Sequence, residues 1–259
     1  MSSWPAAVIL ALTAIGPSAT AAAQTNDAVQ VRPADGFDRL AAALVAQDRM
    51  IAQARPFAAA TVATVMEKDK ELASLNEEFP GLDQAIVEAL EPLMKDAMTM
   101  AIPLYREDLA NLYRKNLSVE DANTTAEFWS SPIGSNALDE ITIVRSNQSV
   151  INSLVAEQNP TTQDLAADDK TTVGRFQAEV SERSKLALIG FYLTDPGKNL
   201  FALNPEKQKI DAKWVAYSPP GMDKQIEQVI MVAMTQHIAK TDPELAALMA
   251  KNLGLPSSQ

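Results

Sequence analysis

The strongest constraint on this fold is a short stretch that the chain uses twice. Phe128-Trp129-Ser130-Ser131-Pro132-Ile133-Gly134 is answered 63 residues later by Phe191-Tyr192-Leu193-Thr194-Asp195-Pro196-Gly197. Phe and Gly coincide, Trp pairs with Tyr, and Ser131 pairs with Thr194; beyond them Asn136 meets Asn199 and Leu138 meets Phe201. In the first copy Ser131 can cap a helix and Pro132 suits its first position, where a missing N–H costs little. Gly134 in the first turn allows close packing against a neighbour. In the second copy Pro has moved by one. Asp195 is therefore the expected cap, Pro196 the first helical residue, and the second corner is expected to differ slightly in geometry. Phe128, Trp129, Pro132, Gly134, Phe191, Tyr192, Pro196 and Gly197 are the candidate structural or interaction corners. Their aromatic rings suit either the packing of helix–helix corners or a peptide-recognition surface, and recurrence at equivalent points of two units favours corners.

The rest of the chain reads as helix. Alanine is abundant, aromatics are 5% of residues, and hairpin signals are lacking: the one Asp-Gly pair, Asp35-Gly36, precedes a helical pattern. A first helix is expected from Asp35 or Gly36 up to Arg55-Pro56, and a second over 57–76, with Lys68, Asp69, Lys70 and Glu71 on its solvated side. The longest helical region covers 82–117, with a kink or break expected at Pro92 and at Pro103. Ser118 opens the next helix, with Val119, Ala122, Ala126 and Trp129 on one face. Another covers 133–154, and a helix over 164–179 then leads into the second unit. There Ser181 stands where Ser118 stood and Phe176 where Tyr113 stood, with Leu186, Ile189 and Tyr192 or Leu193 as the apolar side. Ile226, Val229, Ile230, Ala233, Met234 and Ile238 make a stripe that Met231 and Val232 extend almost all round, so this helix is expected to be central. Asp242 caps the last helix, which Gly254 closes ahead of Pro256. The expectation is an all-α protein of about nine or ten helices, two related helix–corner–helix units in one helical array.

The N-terminus has the layout of a cleavable export signal. Residues 6–15 are apolar, Gly16-Pro17 breaks the run, and Ala21-Ala22-Ala23 supplies small residues before a cut at Gln24. The run falls short of the roughly 20 apolar residues that span a bilayer, and no later stretch is apolar enough for that. The expected organisation is a signal peptide (1–23), a flexible tail (24–34), an N-terminal helical region with the first unit (35–157), a linker (158–163) at Asn159-Pro160-Thr161-Thr162, and a C-terminal helical region with the second unit (164–259). The expected location is periplasmic or secreted. Asn-x-Ser/Thr triplets begin at Asn116, Asn123 and Asn147, and matter only on a eukaryotic secretory route. A net charge of −11 argues against nucleic acid, whose phosphates need a basic face. With no cysteine, disulfides, thiolate nucleophiles and Cys-based metal sites are excluded, and the fold is held by packing.

Leu112-Tyr113-Arg114-Lys115-Asn116-Leu117-Ser118-Val119-Glu120-Asp121, followed by Phe128-Trp129-Ser130-Ser131-Pro132-Ile133-Gly134, is similar to the bacterial domain-of-unknown-function family numbered 2059. That pattern is a helix opening on Ser/Thr and acidic residues, then two aromatics, one variable residue and Ser/Thr-Pro-x-Gly. The resemblance is firm over about 104–138 and weaker over 176–201, where Thr194-Asp195-Pro196-Gly197 departs from it. It implies an exported helical protein and brings no catalytic residues.

Candidate chemistry is sparse. His237, the single histidine, is a conceivable general base, but no motif ties a nucleophile or carboxylate to it, and a ring bonded to a backbone carbonyl or hydroxyl is the expected state. Met94, Met98, Met100, Met231 and Met234 could suit soft Cu(I) or an adaptable groove, but Met fills helical cores without any ligand, and a core is the expected reading. Glu77-Glu78 and Asp168-Asp169 lack a calcium-loop ligand ladder and read as solvated faces. No cofactor is expected. The sequence points to a non-enzymatic exported protein that binds an envelope protein or a peptide. A helical carrier of an apolar small molecule is the alternative, and a carboxylate- or His-dependent hydrolase the weakest reading.

Overall fold

The computed structural model describes residues 34–252, and every regular element among them is an α-helix. In chain order they are α1 (Gly36–Leu44), α2 (Gln47–Ala52), α3 (Ala54–Lys68), α4 (Lys70–Glu78), α5 (Leu82–Asn116), α6 (Val119–Ser130), α7 (Pro132–Val144), α8 (Gln148–Val155), α9 (Thr162–Glu179), α10 (Glu182–Tyr192), α11 (Asp195–Ala202), α12 (Asn204–Val215), α13 (Met222–Ile238) and α14 (Pro243–Asn252). The all-α reading holds, but the chain is cut into more segments than nine or ten. The export signal, the tail up to residue 33 and the Gly254 stop lie outside the described residues.

The extra breaks have local causes. Asp69 accepts the backbone N–H groups of Glu71 and Leu72, which starts α4 inside the span expected as one helix. The span 133–154 divides before α8, whose first N–H groups are taken from outside: Ser149 and Val150 donate to the Asp168 carboxylate at 2.9 and 3.1 Å. Arg55-Pro56 does not end a helix. It lies in the first turn of α3, where Pro56 forfeits no intrahelical bond.

α5 is the element on which the others are built. It runs unbroken through Pro92 and Pro103, against the expectation of a break at each. Both prolines are exposed, as are Glu88 and Thr99 four residues before them, so the carbonyls that lose an N–H partner face water. The first half of α5 packs against α3, α4 and α13 through Leu82, Ile86 and Leu90, joined by Val62, Leu72, Ile226, Ile230 and Ile238. The second half packs against α1, α2 and α12 through Ile102, Leu109, Ala110 and Tyr113, joined by Leu40, Ala126, Trp129 and Phe191. Tyr105 and Asp108 of α5 also hold α12, by Tyr105 Oη to Asp211 at 2.6 Å and Trp214 Nε1 to Asp108 at 2.7 Å. A smaller cluster of Val150, Leu154 and Leu165 joins α8 to α9. α13 is one-sided and not central: Met222, Ile226, Ile230, Met234 and Ile238 are buried, while Met231 and Val232 are half-exposed. No described helix is long and apolar enough to cross a membrane.

Candidate functional site

The two corners are built alike and built against each other. Ser131 caps α7: its hydroxyl donates to the Phe128 carbonyl at 2.6 Å and accepts from Gly134 N–H at 3.2 Å. Thr194, not Asp195, caps α11, donating to the Phe191 carbonyl at 2.6 Å and accepting from Gly197 N–H at 3.2 Å. The one-residue shift of Pro therefore leaves the corner unchanged. The hydroxyl and the glycine three residues later set the geometry, and the N–H groups of the first two helical positions are not needed within the helix, so either position accepts Pro. A Cβ on Gly134 would collide with the Phe128 carbonyl, and one on Gly197 with the Phe191 carbonyl.

The equivalent rings meet. Phe128 and Phe191 stack with centroids 4.2 Å apart and planes 5° apart, and Trp129 lies edge-on to Phe191 at 5.5 Å and to Tyr192 at 6.4 Å. α6 packs on α11 and α7 packs on α10, an exchange expected of two units related by a local two-fold axis. Glu140 of α7 fixes this arrangement. It accepts from Ser181 N–H at 2.8 Å and from the hydroxyls of Ser181 and Ser184 at 2.9 and 3.0 Å, at the start of α10. Those bonds, the Ser181 N–H foremost, hold its carboxyl below the ordinary glutamate range.

Beside the corners lies an apolar groove. α7, α9 and α10 frame an open groove of about 480 Å³ lined by Ile141, Thr172, Val173, Phe176, Lys185, Leu188, Ile189, Tyr192 and Leu193. Its walls stand open to solvent: Val173 is 57%, Ile189 57% and Leu193 68% exposed, and Leu186 beside them 67%. This corrects the sequence reading of α10. The side expected to be buried faces out, and Ser184, Leu188 and Phe191 are what the core takes. A helix apolar on two faces was the available signal, since the Leu188–Phe191 and Leu186–Ile189–Leu193 stripes coexist in eight residues. Of the candidate corner residues, Tyr192 belongs to both features, reaching the groove from the ring cluster and touching Phe201 at 5.9 Å. Trp129, Phe191, Gly134 and Gly197 are buried, Phe128 and Pro196 half-buried, and Pro132 is exposed on the corner. Val119, expected on the buried side of α6, is instead exposed.

The other candidate groups are committed elsewhere. His237 lies with Nε2 3.2 Å from the Pro80 carbonyl oxygen and its ring against Gly81, whose φ of +92° begins α5. The methionines do not converge: Met234 and Met94 belong to the core around Ile86, Met98 to that around Leu109, and Met100 is exposed. Glu77, Glu78 and Asp169 are solvated as expected, but Asp168 is buried. The Ser146 hydroxyl and the start of α8 saturate it, so it works as a cap. Asp211 has both oxygens taken, by Tyr105 and by Lys207 at 2.6 Å each. Burial, with Asp211 alongside, pushes the Tyr105 hydroxyl well above the ordinary tyrosine range.

No family model, no curated protein and no solved structure matches the chain.

Proposed function

We propose that this chain is an exported, non-enzymatic helical protein that acts by binding another envelope protein or a peptide, and that the groove between α7, α9 and α10 is where it binds. The observation that supports this reading is the exposed apolar surface of Val173, Ile189, Tyr192 and Leu193, set in one groove on an otherwise acidic chain. Contiguous apolar surface costs solubility, and in soluble proteins it marks interaction sites. The groove stands open to solvent. That form suits a polypeptide better than an apolar small molecule, which carriers enclose on most sides. Export rests on the 6–23 segment, and the resemblance to exported helical proteins agrees with it.

The test is a photo-crosslinking residue placed at position 189 of the protein in its own cells, with position 77 on α4 as control. The expected result is one envelope protein or peptide captured from 189 and not from 77. Equal capture from both positions, or none from 189, overturns the binding reading. Mass spectrometry of the recovered protein is expected to find Gln24 as its first residue; an intact chain retained in the cytoplasm overturns export.

A further inference from the structure

The open groove and the seat of α1 are the same site in the two units. Ala110, Tyr113, Ala122, Ala126 and Trp129 line the notch between the end of α5 and α6, and all are buried. α1 packs on both walls of this notch and brings Phe37, Leu40 and Ala41 into the same core, while Trp129 also lies against Phe191 and Tyr192. Sixty-three residues on stand Val173, Phe176, Lys185, Ile189 and Tyr192, which line the groove. The frames correspond as well. α5 ends at Asn116 and α9 at Glu179, Ser118 and Ser181 cap α6 and α10, and Leu117 and Val180 are buried between them. The chain thus holds a helix seat twice, and among the described residues a helix covers it once. The segment between α8 and α9 has no helix to offer as a second α1.

Charge indicates which way a helix would lie. In the first seat Asp35 and Asp38, at the start of α1, meet Arg114 at 3.1 and 3.0 Å. Residue 177 replaces Arg114 in the second unit, and the Lys185 ammonium sits 2.8 Å from its carbonyl oxygen, placing a cation at the same end. Its ion-pair partner, Glu182, is an 81% exposed neighbour on the same helix, a weak pairing that a better-placed acid can displace, and Glu140, already held by Ser181 and Ser184, adds a longer-range attraction to Lys185. The walls are bulkier than in the first seat, with Val173, Lys185 and Ile189 in place of three alanines. The incoming helix therefore sits further out than α1, whose Gly36 approaches Asn123 too closely for a Cβ.

We propose that this groove binds an amphipathic helix of a partner polypeptide in the manner of α1, apolar at i, i+3 and i+4 spacing, with an acidic first turn directed at Lys185. The inference rests on the binding reading above and adds the chemistry of the partner.

The probe is a fluorescein-labelled peptide with the sequence of residues 34–46, held helical by a staple on its polar face and carrying a photo-crosslinker at the position of Leu40. Fluorescence anisotropy is expected to show saturable binding to the purified protein, weakened about tenfold or more by Ile189→Asp, because a carboxylate would be buried under the helix. Ile189 is exposed, so that variant is expected to keep the wild-type melting curve. A peptide with Asp35→Lys and Asp38→Lys is expected to bind about threefold or more weaker, a difference that Lys185→Gln abolishes. Crosslinks within 173–193 support the proposal. Crosslinks within 110–129, which would mean exchange with α1, overturn it, as does binding indifferent to Ile189→Asp. A second copy is the competing occupant: dimers in sedimentation that Ile189→Asp dissolves also overturn it. If the peptide fails while position 189 still captures a partner in cells, the helix inference falls and the binding reading stands; if both fail, both fall.

Discussion

At the residue scale the glycines separate two roles that look alike in the sequence. Gly134 and Gly197 sit in the first turns of α7 and α11 against the carbonyls of Phe128 and Phe191, with no room for a methyl group. Gly174 and Gly190 sit within α9 and α10 with nothing within 4 Å of a would-be Cβ. Glycine inside a helix costs roughly 0.5–1 kcal/mol relative to alanine through backbone entropy. Gly174→Ala and Gly190→Ala are therefore expected to stabilise the protein by about that much. Gly134→Ala and Gly197→Ala are expected to destabilise it by about 1–3 kcal/mol, since the backbone must shift to relieve the overlap. Urea unfolding of the four variants checks the opposite signs; a gain at Gly134 would refute the corner geometry.

At the element scale, α10 is started from outside by Glu140. Its lowered carboxyl pKa means that the folded state favours the ionised form. The stabilisation is present above the ordinary value of 4.5 and is lost as pH falls through the lowered folded value. Glu140→Gln is expected to cost about 1 kcal/mol at pH 7, at the modest end for charge-assisted bonds because the site is partly solvated. The gap between variant and wild type is expected to close in urea titrations as the pH is brought well below 4.5 and through the lowered folded value, while a gap independent of pH would mean that the carboxylate charge does nothing there. Asp164 works in the same direction within α9, its carboxyl lowered by the Thr161 backbone N–H and hydroxyl in a capping box.

At the scale of the whole molecule, two cores share α5. Ile86 lies in one and Ile102 in the other, both buried, roughly 24 Å apart at the helical rise. Ile86→Val and Ile102→Val are each expected to cost about 0.5–1.5 kcal/mol and to add within about 0.5 kcal/mol, because they share no neighbours. A single unfolding transition is expected, since losing either core frees the helix that the other needs. Two resolved transitions would show the cores to be independent.

The sequence by itself determined the helical class, the capped starts at Ser118, Ser131, Ser181 and Asp242, and the 63-residue recurrence. Caps are legible because a side chain and the N–H it takes lie two or three residues apart, so the pattern contains the interaction. Asp168 hid its role because the N–H groups it takes are 18 and 19 residues away. Pro92 and Pro103 misled because a proline breaks a helix or not according to what its freed carbonyl faces. Only the tertiary structure decided which apolar stripe of α10 is buried, that Phe128 would lie on Phe191, and that α1 would fill one of two equivalent notches. Each of those outcomes depends on contacts between residues tens of positions apart, and periodicity along the chain records that a face is apolar but not what comes to cover it.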